Sequence, residues 1–238
     1  MADKVAAAVA AMALAVTLFA AGFGACTLPA STQLLAQATA NDAESPYADG
    51  QLTALAVETR GFTVDDYGRG ADGEDGARDR IAAAILDAAR EASAEGSPVR
   101  GRWSAEARKA VAADAGGSSP QAALDRLAAV DDAYALDGDA LSHLDDCNVL
   151  VRTAVPLLWG VAALAAAALA YLLVRRERRL AGTALVVAPA VLIAAFAALG
   201  AWAALDFNGL FAAFHAVLFP PGQLDVLLRF ASHWHVPA

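Results

Sequence analysis

The stretch VLVRTAVPLLWGVAALAAAALAYLLVRRERRLAGTALVVAPAVLIAAFAALGAWAAL, residues 149–205, decides the fold. It contains two apolar blocks, 149–174 and 180–205, on either side of the basic segment RRERR, 175–179. Each block supplies the roughly twenty apolar residues that a helix needs to cross a hydrocarbon core about 30 Å thick. Because five residues leave room for little more than a turn, the sequence predicts an antiparallel pair of transmembrane helices.

The basic turn predicts which way this pair faces, since short cytoplasmic loops of membrane proteins are enriched in lysine and arginine. Residues 175–179 should be cytoplasmic, and the segments before 149 and after 205 should lie on the outer side. A further uncharged run, residues 5–24, is long enough to span. We interpret it as a retained transmembrane helix within 1–28, with a cytoplasmic amino terminus. A signal peptide ending near Cys26 is the alternative.

Most acidic residues lie between the apolar run 5–24 and the apolar block 149–174. Of the 26 acidic and 17 basic residues in the chain, 22 and 10 fall within residues 27–150, a local net charge of −12. This balance argues against nucleic-acid binding. The segment ARDRIAAAILDAAREASAE, residues 77–95, repeats apolar residues at helical spacing. We therefore expect 29–148 to form a mainly helical extracytoplasmic domain.

Local signals predict where other elements of this domain begin. Ser104 and Ser119 stand at N-cap positions, and Asp139 should cap a helix that runs into the second span. By contrast, residues 41–55 and 69–79 are rich in turn-forming residues, so we expect both segments to be connectors.

All four histidines fall on the outer side in this topology. His143 lies shortly before the second span, on a helix that carries Asp146 and Cys147 at i+3 and i+4. A carboxylate at that position would orient the imidazole and raise its basicity. The alternative is an interfacial histidine beside solvated acids.

His215 lies in DFNGLFAAFHAVLFPPG, residues 206–222, within the tail 206–238. This apolar run is too short to span, so it predicts an interfacial or re-entrant helix. An ionisable residue in apolar surroundings is a candidate functional residue, and a flat helix with the ring turned to the headgroups is the alternative. Because the hairpin turn is short, we expect His143 and His215 near the same outer interface, where a facing pair is sterically allowed.

The remaining histidines and the cysteines give weaker signals. His233 and His235 have a His-x-His spacing but no accompanying ligands, so the sequence assigns no metal and no cofactor. Cys26 and Cys147 should lie at outer helix ends, where oxidation is permitted, and they form one candidate disulfide.

Two motifs resemble those of a family of small bacterial integral membrane proteins, formerly of unknown function, that includes the lipoprotein intramolecular transacylases. SHLDDC, residues 142–147, is similar to the family's His-Met-x-Asp-Val element before its second helix, and FHAVLFPPG, residues 214–222, to its Phe-His-x-x-Phe-Phe element after the third. Leu218 and Leu224 depart from the family's phenylalanine and tryptophan. The family also continues into a fourth transmembrane helix, whereas this sequence ends at Ala238.

The resemblance implies an enzyme that moves an acyl chain from the glyceryl group of a diacylglyceryl lipoprotein to the amine of its amino-terminal cysteine. His143 and His215 would match the family's two functional histidines, with Asp146 orienting His143. Membrane lipid and a diacylated lipoprotein would be the partners. Two alternatives stay open: a non-enzymatic membrane protein whose acidic outer domain binds an envelope partner, and a truncated, inactive family member. The oligomeric state is not indicated.

Overall fold

The computed structural model describes residues 1–40, 45–94, 103–113 and 119–218, and every regular element in these ranges is an α-helix. The helices are α1 Ala2–Cys26, α2 Pro29–Ala40, α3 Asp49–Val64, α4 Arg69–Ser93, α5 Ala105–Ala113, α6 Pro120–Ala128, α7 Gly138–Val174, α8 Arg178–Leu205 and α9 Phe207–Leu218. Three of them, α1, α7 and α8, are long and apolar enough to cross a membrane. This confirms the prediction of an all-helical membrane protein with three helices of spanning length.

The chain divides into two compact units. The apolar unit comprises Met1–Gly24 and Thr153–Ala238, and the polar unit comprises Ala25–Arg152. Both α1 and α7 continue across a boundary between the units.

Small side chains hold the helices of the apolar unit together. Ala10 and Ala11 of α1 are buried against Ala184 of α8, with Ala168 and Leu169 of α7 packed beside them. Small residues let helix backbones approach closely, which is how membrane helices pack when lipid supplies no hydrophobic driving force. The surface of α7 and α8 is apolar, because large apolar side chains such as Leu157 and Trp159 of α7 and Ile193 of α8 are exposed. Such a surface requires lipid around it.

Polar contacts join two helices at one end of the apolar unit. The Tyr171 hydroxyl on α7 donates to Asp3 Oδ1 on α1 at 3.2 Å, and Arg175 Nε lies 3.7 Å from the same carboxylate. The start of α1 and the end of α7 therefore lie at the same end of the unit, as alternating spans require. The turn that follows is Arg175–Glu177, shorter than the predicted 175–179, because α8 begins at Arg178.

The core of the polar unit is built around α4. Its predicted apolar face is buried, at Ile81, Ile85, Leu86 and Ala89. These side chains share one cluster with Phe62 of α3, Leu124 and Leu127 of α6, and Leu141 of α7. The helical periodicity predicted at 77–95 is thus confirmed through Ser93, where α4 ends.

Both predicted serine caps are confirmed. Ser104 Oγ accepts a hydrogen bond from the Ala107 amide at 3.0 Å, and Ser119 Oγ accepts from the Ala122 amide at 3.3 Å. Pro120 is the first residue of α6, where its missing amide hydrogen costs nothing. Local sequence therefore fixes where α5 and α6 begin.

The prediction of a connector at 41–55 is wrong from Asp49 onward, since α3 begins there. The side-chain oxygen of Gln51 accepts a hydrogen bond from the Ala48 amide at 3.0 Å. This contact satisfies an amide at the helix start without the usual hydroxyl or carboxylate cap.

The prediction of an exposed loop at 69–79 is also wrong, because α4 includes this glycine-rich segment. The chain kinks at Gly73, whose φ of 73° and ψ of −173° are not helical. Arg80 reaches back across the kink to Asp72 at 2.7 Å, and Arg69 is fixed by a buried ion pair described below. Tertiary contacts here override the weak helix propensity of glycine.

Candidate functional site

The first turns of α7 carry the predicted site around His143. Asp137, rather than the predicted Asp139, caps this helix, because its Oδ1 accepts from the Ala140 amide at 2.7 Å. The N-cap precedes the first helical residue, Gly138, so Asp139 falls one position inside the helix. An acidic residue there still favours the helix through the macrodipole.

His143 is half-buried, and one of its contacts is the predicted i+4 neighbour. The ring Nε2 lies 3.8 Å from Cys147 Sγ. Burial raises the pKa of the Cys147 thiol, and the negative charge of Asp146 raises it further. Both effects oppose formation of the thiolate, which is the form in which cysteine acts as a nucleophile. Both cysteines of the chain are free thiols, and the candidate disulfide is therefore not formed.

Of the adjacent residues Asp145 and Asp146, the buried one is Asp145, which the sequence did not identify as a site residue. It is 6% exposed and accepts hydrogen bonds from Arg69 Nη2 and Arg78 Nε. The Arg69 side chain is itself only 7% exposed, and its guanidinium carbon lies 4.4 Å above the Phe62 ring. The ion pair fastens the start of α7 to α4.

Asn148 makes a second fastening between α7 and the end of α3. Its side-chain amide donates to the carbonyls of Phe62 at 3.3 Å, Thr63 at 3.1 Å and Asp65 at 2.8 Å. Helix C-termini leave such carbonyls without intrahelical partners. Asn148, which is 1% exposed, therefore caps the carboxyl end of α3 although it belongs to another helix.

These contacts give the start of α7 two distinct faces. Residues 141, 145 and 148 recur at helical spacing and are buried in the polar unit. The predicted site residues His143, Asp146 and Cys147 occupy the opposite side of the same turns, as their i+3 and i+4 spacing requires, and all three are half-buried. One face thus anchors the helix while the other presents the imidazole.

His215 lies on α9, a short helix that Asp206 caps by accepting from the Gly209 amide at 2.8 Å. The imidazole is 7% exposed. Its ring centroid is 3.8 Å from that of Phe211 and 5.8 Å from that of Phe214. The predicted apolar surroundings of this histidine are therefore present in the structure.

One hydrogen bond fixes the tautomer of the neutral His215 ring. Nδ1 lies 2.8 Å from the Phe211 carbonyl oxygen, and because a carbonyl oxygen can only accept, Nδ1 must carry the proton. The lone pair of the neutral ring is then on Nε2. This is the arrangement by which proteins orient a histidine for proton transfer or metal binding.

His143 belongs to the polar unit and His215 to the apolar unit. That both histidines lie near the same outer membrane interface stays a prediction. His233 and His235 lie outside the described residues. Within the described ranges, no group of three His, Cys, Asp or Glu side chains is placed to hold a metal ion.

A separate groove of about 530 Å³ runs between α2 and α3 in the polar unit. Its polar lining consists of amides, hydroxyl and carboxylates: Gln33, Gln37, Asp49, Thr53 and Glu58. The groove is open to solvent and contains none of the histidines.

The fold and these sites define a helical integral membrane protein with a compact polar unit inserted between its first two candidate spans. No protein-family model, curated protein or solved structure matches the chain.

Proposed function

We propose that the chain is a membrane acyltransferase that transfers an acyl group within a diacylglyceryl lipoprotein, from a glyceryl oxygen to the α-amine of the amino-terminal cysteine. The observation that carries the proposal is His215, a buried imidazole whose tautomer is set by the Phe211 carbonyl at 2.8 Å. The resemblance of 142–147 and 214–222 to the transacylase family motifs supplies the reaction.

The reaction needs proton transfers but no redox chemistry. The amine attacks the ester carbonyl, a C–N bond forms and the C–O bond to glycerol breaks. One proton leaves the amine and another reaches the departing glyceryl oxygen. A neutral imidazole accepts the first and an imidazolium donates the second, so His215 and His143 together provide a base and an acid.

The lengths of the helices support a site at the membrane surface. The 12 residues of α9 extend about 18 Å, less than the roughly 30 Å of the hydrocarbon core. Of the interfacial and re-entrant arrangements open to such a short helix, the proposal assigns the interfacial one to α9, where the ester bonds of glycerolipids are also found. The His215 ring is then at the depth of the scissile bond.

Asp146 is proposed to assist His143, as the resemblance implies. Asp146 follows His143 by three residues on α7, a spacing that puts both side chains on one side of the helix. A negative charge there stabilises the imidazolium that forms when His143 accepts a proton.

The proposal is tested by co-expressing the chain with a diacylated lipoprotein and measuring the acyl position on its amino-terminal peptide by mass spectrometry. His215→Ala and His143→Ala should each lose N-acylated product by about a hundredfold or more, the usual contribution of a general acid or base. Asp87→Asn, at an exposed ion pair on α4, is the matched control and should retain full product.

Wild-type product from both histidine variants would refute the enzyme proposal. The alternative would then stand, in which the acidic unit binds an envelope partner. A photocrosslinker at position 87 should in that case recover the same partner from wild-type and histidine-variant cells.

A further inference from the structure

Helix α2 combines two features that no other helix shares among the described residues of the polar unit. Its sequence, PASTQLLAQATA at Pro29–Ala40, contains no charged residue. The uncharged run in fact extends from residue 5 to residue 41, far beyond the end of α1 at Cys26. The polar unit contains 22 acidic and 11 basic residues, a net charge of −11. A charge-free helix in such a unit, directly after a candidate span, indicates surroundings other than water.

The second feature is exposure of large apolar side chains. Among the described residues of the polar unit, those exposed are Leu28, Leu34, Leu35 and Val149. Val149 belongs to the predicted second span, so the remaining three concentrate at α2. Leu34 and Leu35 are 67% and 60% exposed, and Leu28, just before the helix, is 53% exposed.

These leucines lie on the side of α2 turned away from α3. Gln33 and Gln37 border the groove shared with α3, and Ala40 is buried. Leu34 and Leu35 are rotated from the Gln33 position by about 100° and 200° around the helix. Contacts within the unit therefore leave the leucine face uncovered.

Chain connectivity places α2 close to the membrane surface. The 25 residues of α1 extend about 37 Å, compared with about 30 Å for the hydrocarbon core and 40–45 Å for the whole bilayer. Only Thr27 and Leu28 separate α1 from α2, and Ser31 Oγ donates back to the Ala25 carbonyl at 2.7 Å. The helix therefore begins at the depth of the lipid headgroups.

We propose that α2 is a membrane-surface helix that inserts Leu28, Leu34 and Leu35 into the boundary between lipid headgroups and acyl chains. Interfacial helices bury an apolar face about 5–10 Å into this boundary. Because α2 carries no basic residue, its insertion depends on apolar contact and is independent of anionic lipid. The proposal holds whether or not the chain transfers acyl groups.

The test uses the full chain with Cys26 and Cys147 replaced by serine and an environment-sensitive dye on one new cysteine. In phosphatidylcholine vesicles, dye at Leu34→Cys should emit at shorter wavelength than dye at Asp87→Cys, the exposed control on α4. Lipids brominated on their acyl chains should quench Leu34→Cys strongly and Asp87→Cys hardly at all. Adding phosphatidylglycerol should leave these signals unchanged.

A third labelled variant, Gln33→Cys, checks the orientation of the helix. It should be quenched less than Leu34→Cys, although the two positions are adjacent, because it borders the groove. Water-like emission at Leu34→Cys, or equal quenching at both positions, overturns the proposal. A blue-shifted emission that brominated lipid leaves unquenched also overturns it, since a second copy or another protein would then cover the face.

Discussion

Replacing Asp145 with asparagine should destabilise the polar unit by about 3 kcal/mol. The carboxylate is 6% exposed and pairs with Arg69, whose side chain is 7% exposed, and with Arg78, which is 34% exposed. Asparagine keeps the size but leaves Arg69 charged in the interior. Removing one partner of a buried pair costs about 3–5 kcal/mol. The lower value applies because Arg69 also donates to the Phe62 carbonyl at 2.8 Å.

Pulse proteolysis of the full chain in detergent across a urea series measures this loss. With a slope of about 1–3 kcal/mol per molar urea, the midpoint should fall by roughly 1–3 M. Asp87→Asn breaks an exposed pair and should cost less than about 1 kcal/mol. The double variant Asp145→Leu with Arg69→Met should recover most of the loss, because a buried pair can be replaced by apolar side chains. Equal midpoints for Asp145→Asn and Asp87→Asn would refute the reasoning.

Three further outcomes follow from burial in the polar unit. Leu124→Ala should cost about 2–5 kcal/mol in the same urea assay because this side chain is fully buried, whereas Leu34→Ala in detergent should cost far less. Burial raises the pKa of the Tyr47 phenol above its ordinary value of about 10. The contribution of Tyr47 to stability should thus be complete below pH 10 and decrease at higher pH, because the phenol ionises at lower pH in the unfolded chain than in the folded one. A urea midpoint that does not fall between pH 10 and 12 would contradict this. Without reductant, maleimide should modify the exposed Cys26 faster than Cys147, whose thiol pKa is raised by burial, and recovery of fewer than two thiols would contradict the free-thiol assignment.

The spans and several helices of the polar unit could be predicted because their signals are local. Block length and hydropathy identify α1, α7 and α8, and the apolar spacing of 77–95 identifies the core helix α4. Ser104 and Ser119 mark their helices because a cap needs only its own next turn.

Other features could not be predicted because they depend on partners distant in sequence. The segment 69–79 contains three glycines, yet it is helical because Arg69 is held by Asp145, 76 residues away. Which of Asp145 and Asp146 is buried likewise depends on which face of α7 packs against the polar unit. The missed helix α2 has neither a charged cap nor a strong amphipathic pattern in water, and its apolar exposure is visible only in the folded chain.

For the candidate site, sequence placed His143 beside Cys147 and His215 among aromatic residues, and both contacts are present. The hydrogen bond that sets the His215 tautomer joins the ring to the carbonyl four residues earlier in the predicted helix, but it depends on the side-chain rotamer, which the sequence does not specify. Whether the two histidines lie on the same side of the membrane depends on the topology, and the sequence indicates the topology only through the distribution of its basic residues.

Cysteine accessibility in spheroplasts tests most directly whether both histidine-bearing segments lie on the outer side of the membrane. Single cysteines are introduced at Asp87, Asn208 and Arg176 in a chain lacking its native thiols, and are exposed to a membrane-impermeant maleimide. We expect labelling of the first two variants in intact spheroplasts, and labelling of Arg176→Cys only after permeabilisation. Labelling of Arg176→Cys from outside would contradict the proposed topology. Labelling of only one of Asp87→Cys and Asn208→Cys in intact spheroplasts would also contradict it, and with it a shared site.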